Sequence, residues 1–292
     1  MKRDYLKWSK TISAGESYPP KNPVSPFAGS WSLFFLKRDN DGAFTDPKGK
    51  KLRFPIKNPR TINFEKELTI VQHALENLTP IQKKIAIYYG TGVPTKQWSP
   101  VIDRLIDTYG VNPPYSARIL ANVQGAINDT MVVVWHFKYL WDVARPNQYD
   151  QSLRTLICTP NFPSYPSGHA SMSACAEVIL SYYFPKEAKK LRKISKDDAN
   201  GRLYSGVHFP IDNRSGAELG WYIGNVIVQH LNTQEDCNKD RIDKAQSTFL
   251  NADIFPNNYE QFIPYNFTGK CPSLLLEDTK ESNNVPKPLL LL

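Results

Sequence analysis

The chain has 292 residues, enough to bury a substantial hydrophobic core in one large domain or two small ones. Its 36 lysines and arginines outnumber its 28 aspartates and glutamates, and the resulting net charge of +8 favours an anionic partner. The sequence has no dense basic block of the kind that would indicate nucleic-acid binding. No run of about 18 apolar residues could span a bilayer and the N-terminus lacks the apolar segment of a signal peptide, so we expect a soluble, cytoplasmic protein without a transmembrane segment.

Residues 1–62 are predicted to form an irregular N-terminal arm that carries a small β hairpin. Proline and polar residues dominate its first half. The segment 30–36 has the composition of a strand, Asp-Asn-Asp-Gly at 39–42 is a turn, and a second short strand is predicted around 51–55.

Residues 63–250 show helical patterns and are predicted to form the catalytic domain. Asn63 and Thr79 precede apolar residues at helical spacing and can cap helices, and Ser99, followed by proline, is a similar start signal. The predicted helices cover residues 64–78, 80–89, 99–110, 115–143, 169–184, 186–200 (a charged outer face) and 215–231. The chain is therefore predicted to be mainly α, a helical bundle with a small N-terminal β hairpin. The proline- and polar-rich residues 251–292 are predicted to be a wrapping tail with a loose end.

The four cysteines are widely spaced and include no C-x-x-C pair. They are Cys158, Cys175, Cys237 and Cys271. This spacing predicts neither a zinc site nor a disulfide framework.

The stretch 161–169, Asn-Phe-Pro-Ser-Tyr-Pro-Ser-Gly-His, is a loop that ends where an apolar helical pattern begins. Ser167, Gly168 and His169 therefore lie at a helix N-terminus, where the first N–H groups lack intrahelical partners and the helix dipole is positive. Such a terminus is a ready anion site. We expect a tetrahedral or bipyramidal oxyanion to bind there, with His169 acting on it.

Two further segments carry groups that suit such an anion. Lys138 and Arg145 are seven residues apart at the end of the long predicted helix, which places them two turns apart on one face. Arg202 precedes His208 and Asp212 in the other segment. Because lysine is a point charge and arginine a bidentate fork, the three cations are predicted to bind the equatorial oxygens.

The remaining groups complete a predicted reaction centre. The Ser167 hydroxyl and the Gly168 N–H are further donors to the oxyanion. The two apical positions require a nucleophile or ligand and a general acid, a division that suits His169 and His208. Asp212, four residues after His208, can accept a hydrogen bond from one imidazole nitrogen and so fix the tautomer that leaves the other nitrogen free.

These three segments resemble the signature of the superfamily of type 2 phosphatidate phosphatases (PAP2) and vanadium haloperoxidases: K-x6-R-P, then P-S-G-H, then S-R-x5-H-x3-D. Every spacing agrees, and Gly201 alone departs, standing where the family usually has serine. The resemblance covers about residues 115–231 and implies the helical PAP2/haloperoxidase fold.

The resemblance also implies roles and ligands. His208 takes the apical position, as the nucleophile that forms a phosphohistidine in the phosphatases or as the only protein ligand to vanadium in the haloperoxidases. His169 is the acid–base on the opposite side. A haloperoxidase would hold vanadate as cofactor and use halide and hydrogen peroxide, whereas a phosphatase would need no cofactor and act on a phosphate ester. The sequence carries no signal for an oligomeric state.

Two aromatic positions favour the soluble haloperoxidase branch. Trp135, three residues before Lys138, and Phe162, seven before His169, resemble the pair that lines the halide side of chloroperoxidase-like enzymes. Bromoperoxidases of the family carry a histidine where Phe162 stands. The alternative is that both residues are core aromatics.

Together these features predict a vanadate-dependent haloperoxidase-like protein. A soluble acid phosphatase, hydrolysing phosphomonoesters through a phosphohistidine at His208, is the alternative. A third class, a non-catalytic anion-binding scaffold, usually lacks a site residue, whereas all eight predicted catalytic and anion-binding residues are present here.

Two aspartates near Lys138 receive lesser roles. Asp142, four residues after Lys138, is expected to pair with it along the helix. Asp129, nine residues before Lys138, is a candidate for supporting the site from behind. Three histidines are expected to be ordinary surface or core residues: His73, His136 and His230.

Overall fold

The computed structural model describes residues 4–262 and 271–274. Within these residues lie eight α-helices and a two-stranded antiparallel sheet. The helices are α1 (Phe64–Glu76), α2 (Pro80–Gly90), α3 (Ser99–Thr108), α4 (Pro113–Trp141), α5 (Pro146–Tyr149), α6 (Gly168–Tyr183), α7 (Ala188–Tyr204) and α8 (Pro210–Leu231). The predicted fold class, mainly α with a small N-terminal hairpin, is confirmed.

The two strands of the hairpin lie closer to the turn than the sequence predicts. Its strands β1 (Lys37–Arg38) and β2 (Phe44–Thr45) pair directly around the turn that Asp39 opens. The carboxylate of Asp39 accepts two backbone N–H bonds within this turn, so the turn closes on itself and holds a very short hairpin. The predicted strand positions, 30–36 and 51–55, are therefore wrong.

A buried aspartate explains why the residues before β1 are not a strand. The backbone N–H groups of Phe34, Phe35 and Leu36 donate to the Asp129 carboxylate at 2.7, 2.8 and 2.8 Å. Backbone donors that are bound by a side chain are not available to a strand partner. Asp129 thus anchors the N-terminal arm on α4. The sequence had suggested instead that Asp129 supports the predicted anion site.

The predicted helix starts are largely confirmed. The Asn63 side chain caps α1, and Thr79 caps α2 in a reciprocal arrangement with Gln82. At Ser99 the helix begins as predicted, but Trp98 is the capping residue and supplies no side-chain bond. The start of α8 was placed too late, because Pro210 supplies its first helical position, where a missing N–H costs nothing.

Helix α7 is longer than predicted and is not an outer face. It continues to Tyr204 and packs against α2 and α6. Its buried residues Leu191, Ile194, Asp198 and Arg202 recur every three or four positions, so one face of this charged helix points inward. This inward face carries Arg202 into the interior.

Helix α6 is the centre of the fold, and it contacts α4, α7 and α8. The closest contact is with α8, where glycines allow the two backbones to approach. A Cβ placed on Gly220 would lie 2.0 Å from the Ser171 carbonyl oxygen, and one on Gly216 would lie 2.6 Å from that of Ser167. At Gly224 the nearest atom would instead be a side-chain carbon of Val178, at 2.8 Å. This close crossing sets the start of α6 against the start of α8.

A disulfide joins Cys158 and Cys271, so the expectation drawn from the cysteine spacing is wrong. No local pattern predicts this bond, because the two cysteines are 113 residues apart and meet only in the folded chain. The backbone N–H of Thr155 also donates to the Ser273 carbonyl at 2.7 Å. Residues 271–274 are thus held on the loop that leads to the central stretch 161–169. Disulfides persist mainly in oxidising compartments, and the expected cytoplasmic location stays a prediction.

The beginning of the predicted tail packs on α3. Ala252 and Ile254 are buried, and Arg104 donates to the carbonyls of Asp253 and Phe255. The predicted loose end lies outside the described residues. Among the helices described, none combines the length and the apolar character needed to cross a membrane.

The crossing of α6 and α8 predicts a graded series of substitutions. Gly220→Ala is expected to lower the free energy of unfolding by about 3 kcal/mol, because the added methyl group meets backbone. Gly224→Ala meets the Cβ of Val178 at the longer distance of 2.8 Å and is expected to cost about 2 kcal/mol. Urea unfolding measures both, with the exposed Gln229→Ala on α8 as control. Equal losses at the two glycines would contradict the predicted backbone contact.

The disulfide predicts a thiol count and a loss of stability. Unfolded without reductant, the chain should expose two reactive thiols, those of Cys175 and Cys237, and four after reduction. Cys271→Ser is expected to lower the free energy of unfolding by about 4 kcal/mol, because the bond closes a long loop. The exposed free Cys237 gives the matched control Cys237→Ser. Four reactive thiols before reduction would rule the bond out.

Candidate active site

The three predicted segments meet inside the molecule, where they bury five charged or titratable side chains. Lys138, Arg145 and Asp212 are 0% exposed, His208 is 1% exposed and Arg202 is 2% exposed. Burial of an unpaired charge is costly, so the partners of each group determine what the site can hold.

Lys138 holds the central loop. Its Nζ donates to the carbonyl oxygens of Pro163 and Ser164, both at 2.7 Å, which leaves one N–H for a ligand. Burial and the neighbouring Arg145 lower its pKa well below the ordinary value. The expected pairing with Asp142 is wrong, because α4 ends at Trp141 and the Asp142 carboxylate binds Ser9 instead.

Arg145 reaches the site from outside the helix. Since Arg145 follows the end of α4, it does not share a helical face with Lys138, and the predicted reason for their proximity is wrong. Its Nε donates to the Phe162 carbonyl at 2.9 Å, and its Nη1 donates to the Val207 carbonyl at 2.7 Å and lies 3.5 Å from Nε2 of His208. Its Nη2 is buried without a partner. Burial lowers the pKa of Arg145 to about 9, so it stays charged at neutral pH.

Arg202 presents more unused donors than Arg145. Its Nε and Nη1 are both buried without a hydrogen-bond partner. Burial lowers its pKa to about 10, and the charge of Asp198, one turn earlier on α7, acts in the opposite direction. Asp198 itself accepts a bond from Ser173, and burial raises its pKa to about 7. Arg202 is thus a charged guanidinium that Asp198 stabilises and whose Nε and Nη1 are available to a ligand.

His208 is oriented by a buried carboxylate. Oδ2 of Asp212 lies 2.9 Å from Nδ1 of His208 and accepts bonds from the Ser164 hydroxyl at 2.5 Å and the Phe209 N–H at 3.1 Å. Burial raises the pKa of Asp212 to about 6, so it is a carboxylate at neutral pH. A carboxylate only accepts, and the proton therefore lies on Nδ1 of His208. The lone pair of Nε2 then faces Arg145.

His169 lies in the first turn of α6 and is partly exposed. Its Nε2 is 3.1 Å from the carbonyl oxygen of Tyr89, at the end of α2. Because a carbonyl only accepts, Nε2 carries the proton and Nδ1 is left free. Burial, and next the charge of Arg202, lower the pKa of His169 well below its ordinary value. The lowered pKa keeps this imidazole neutral, with Nδ1 able to accept a proton.

Ser167 and Gly168 form the turn into α6. The Ser167 hydroxyl accepts the Ala170 N–H at 3.4 Å and so caps the helix, and its own backbone N–H donates to the Asp212 carbonyl. Ser167 is therefore first a capping residue, with its hydroxyl proton still available. Gly168 and His169 are the first two residues of α6, where N–H groups lack intrahelical partners.

Trp135 and Phe162 form an aromatic pair beside the cations. Their ring centroids are 4.9 Å apart at an angle of 45°. The Phe162 ring centroid lies 5.2 Å from Nζ of Lys138 and 4.9 Å from Cζ of Arg145. The pair therefore borders the cationic site, as the sequence predicts, and is also part of the core packing.

The arrangement fits an oxyanion. Burial lowers the pKa of His208, and the charges of the three nearby cations Arg145, Lys138 and Arg202 lower it further. Three buried N–H-bearing nitrogens of the two arginines have no partner among the described residues, and a guest with several oxygens would satisfy them. The predicted anion-binding and catalytic residues are thus brought together, while their roles stay predictions.

Three contributors were missed by the sequence analysis. Asp198 could have been found, because it lies four residues before Arg202 on one helix and can act on its charge. The Ser164 hydroxyl on Asp212 and the Tyr89 carbonyl on His169 had no sequence signal, since each comes from a segment whose position only the folded chain sets.

Comparisons with known proteins bear on the family and the fold. Residues 119–236 match the PAP2 superfamily. No curated protein matches the chain significantly. Among solved structures, a bacterial vanadium-dependent iodoperoxidase is 18% identical, with a TM-score of 0.59, over 76% of this chain and 60% of that one.

Two structures of bacterial vanadium-dependent chloroperoxidase are also similar in fold. The apo form is 15% identical, with a TM-score of 0.57, over 77% of this chain and 62% of that one. The holo form is 16% identical, with a TM-score of 0.51, over 75% and 58%. The chain thus spans about three-fifths of the length of the haloperoxidases it matches. Residues 119–236 thus match the PAP2 superfamily, and the fold of the chain is similar to that of the bacterial vanadium-dependent haloperoxidases.

Proposed function

We propose that the protein is a vanadate-dependent haloperoxidase, which oxidises halide with hydrogen peroxide. One observation carries the proposal: a buried cluster with unpartnered arginine N–H groups lies directly beside the aromatic pair Trp135 and Phe162. The cluster suits a resident oxyanion, and the aromatic pair gives it an apolar border.

Vanadate would be held by the groups that lack partners in the folded chain. Arg145 and Arg202 supply the unpartnered guanidinium donors, and Lys138 supplies its remaining N–H. The Nε2 lone pair of His208 is available as the apical ligand, because Asp212 holds the proton on Nδ1. A near-complete lack of exposure suits a small inorganic anion that stays in place. Bound vanadate supplies a Lewis-acidic centre at which peroxide becomes reactive towards halide.

Proton transfer falls to His169. Halide oxidation consumes one proton: halide, hydrogen peroxide and a proton give hypohalous acid and water. His169 is partly exposed, and its free Nδ1 can exchange protons at the site while Tyr89 fixes the ring through Nε2. An anion bound beside it would raise its pKa again by offsetting the charges of the three cations.

The aromatic pair gives the halide a place. Phe162 contacts Trp135 and both Lys138 and Arg145, and Nζ of Lys138 is also 5.9 Å from the Trp135 ring centroid, so the pair offers apolar surface next to positive charge. Halides are large and weakly hydrated, and such a border attracts them without a full complement of hydrogen bonds. This position favours halide oxidation over the hydrolysis of a bulky ester.

One observation favours acid phosphatase activity as the second candidate. The contact of Asp212 with Nδ1 of His208 leaves Nε2 unprotonated, which is the form needed for nucleophilic attack on phosphorus. The bond from phosphorus to the leaving oxygen would break as His208 becomes phosphorylated, and His169 would give that oxygen its proton. Water would then release phosphate and restore His208.

The direct test is bromination of an organic acceptor by hydrogen peroxide, measured before and after vanadate is added. Activity is expected only after the addition, and His208→Ala is expected to lower kcat by about 100-fold or more. The exposed His73→Ala is the matched control and should behave as wild type. Activity that does not depend on vanadate would remove the proposal. Vanadate-inhibited hydrolysis of an aryl phosphate that is lost in His208→Ala would establish the phosphatase instead.

The lowered pKa of His169 predicts a proton-linked affinity for the anion. Because the imidazole is neutral before an anion binds and would gain a proton on binding, the affinity for vanadate should rise as pH falls from 8 to 6. The rise is at most about tenfold per pH unit. Equilibrium dialysis measures this affinity for wild type and for His169→Gln. The ionisation of vanadate itself is the same with both proteins, but the glutamine cannot gain the proton. Parallel pH profiles in the two proteins would contradict the role of His169.

A further inference from the structure

We propose that a cleft on the outer side of Trp135 binds a small, neutral aromatic molecule and holds it as the acceptor of the halogen. The purpose of this site rests on the proposed haloperoxidase activity, whereas the binding itself does not.

The cleft is small and mostly apolar. It encloses about 140 Å³ between the N-terminal arm and α4. Its walls include Trp31, Met131, Val132 and Trp135, with Ser25 and Asn128 at its polar edge. A protein cavity of about 150 Å³ is large enough to hold a benzene molecule. None of the residues that line the cleft is charged, so a neutral ring with one polar substituent fits it best.

The cleft adjoins the candidate active site through one layer of side chains. Trp135 lines the cleft, and its ring also packs on Phe162 at the border of the cations. On the inner side, the nearest side-chain atoms to a Cβ built on Gly168 belong to Trp135, at 3.5 Å, and Met131, at 3.8 Å. Both residues therefore face the start of α6 from one side and the cleft from the other.

The arm keeps the cleft open to solvent yet fixed in place. Trp31 is 56% exposed, a large value for a tryptophan. The carbonyl of Val24 accepts bonds from Trp135 at 3.2 Å and Tyr139 at 2.7 Å, and its N–H donates to the Asn161 carbonyl. The arm is thus attached to both α4 and the central loop. Two indole surfaces, one exposed and one buried, are well suited to stacking with an aromatic ring.

The position of the cleft suits a halogen transfer. Hypohalous acid formed beside Phe162 would be separated from an electron-rich ring in the cleft by the Trp135 side chain. The ring carbon donates an electron pair to the halogen and the halogen–oxygen bond breaks. The carbon then loses its proton, and that proton and the hydroxide released from the halogen leave as water. The halogenated ring is the product, and no reagent beyond the hypohalous acid is needed.

Binding of phenol tests the proposal without the reaction. Isothermal titration or ligand-observed NMR with the full chain, in the absence of vanadate and peroxide, should show saturable binding. Trp31→Ala is expected to weaken the Kd for phenol at least fivefold. Phe34→Ala is the matched control, because it removes another exposed aromatic of the arm, 74% exposed and outside the cleft, and it should change the Kd less than twofold.

The outcomes separate this proposal from the proposed function. Absent binding, or equal losses in both variants, would overturn the cleft as a binding site, whatever the bromination assay shows. A concentration-dependent dimer that Trp31→Ala abolishes and Phe34→Ala preserves would also overturn it, because a second copy would then cover this face. Selective binding without vanadate-dependent bromination would leave the site standing and remove its purpose. If both hold, Trp31→Ala should raise the KM for phenol and leave the KM for bromide unchanged.

Discussion

The structure depends on keeping three cations out of water around one imidazole. Moving an ion from water into a protein interior costs several kcal/mol, and Lys138, Arg145 and Arg202 are all buried beside His208. Among the described residues, two buried carboxylates, Asp198 and Asp212, act on these charges. The excess positive charge, and arginine donors that have no partner among those residues, are costly to bury. The anionic guest that we propose would offset the charge and accept hydrogen bonds from these donors.

Backbone carbonyls and a close helix crossing make the arrangement possible. The carbonyls of Pro163 and Ser164 accept from Lys138, so the lysine that contributes charge also fixes the loop that begins α6. At the other end of that loop, glycines of α8 let its backbone approach α6 to a distance that no side chain permits. Since Asp212 in the first turn of α8 orients His208, and His169 lies in the first turn of α6, the crossing brings together the segments that carry the two histidines. Packing and chemistry thus share the same contacts.

The N-terminal arm has a larger part in the site than its irregular sequence suggests. Asp129 binds three consecutive backbone N–H groups of the arm, and the Val24 carbonyl receives bonds from two residues of α4. The arm therefore lies over the aromatic pair and forms the outer wall of the cleft beside Trp135. At the opposite end of the central loop, the disulfide and the contact of Thr155 with Ser273 hold residues 271–274 in place. Two distant parts of the chain thus flank the loop that carries the anion site.

The sequence by itself determined most of the helices and which candidate site residues to look for. The Thr79 cap depends only on neighbouring residues, and this local signal is confirmed. The spacing of Lys138 and Arg145 is also a local signal, but it predicts the wrong reason for their proximity. Helix α4 ends at Trp141, and the turn that follows returns Arg145 towards Lys138. The tertiary structure alone decided that Ser164 meets Asp212, that Tyr89 meets His169 and that Cys158 meets Cys271. Each of these pairs joins residues far apart in the chain, and only the packing of the helices fixes such distances.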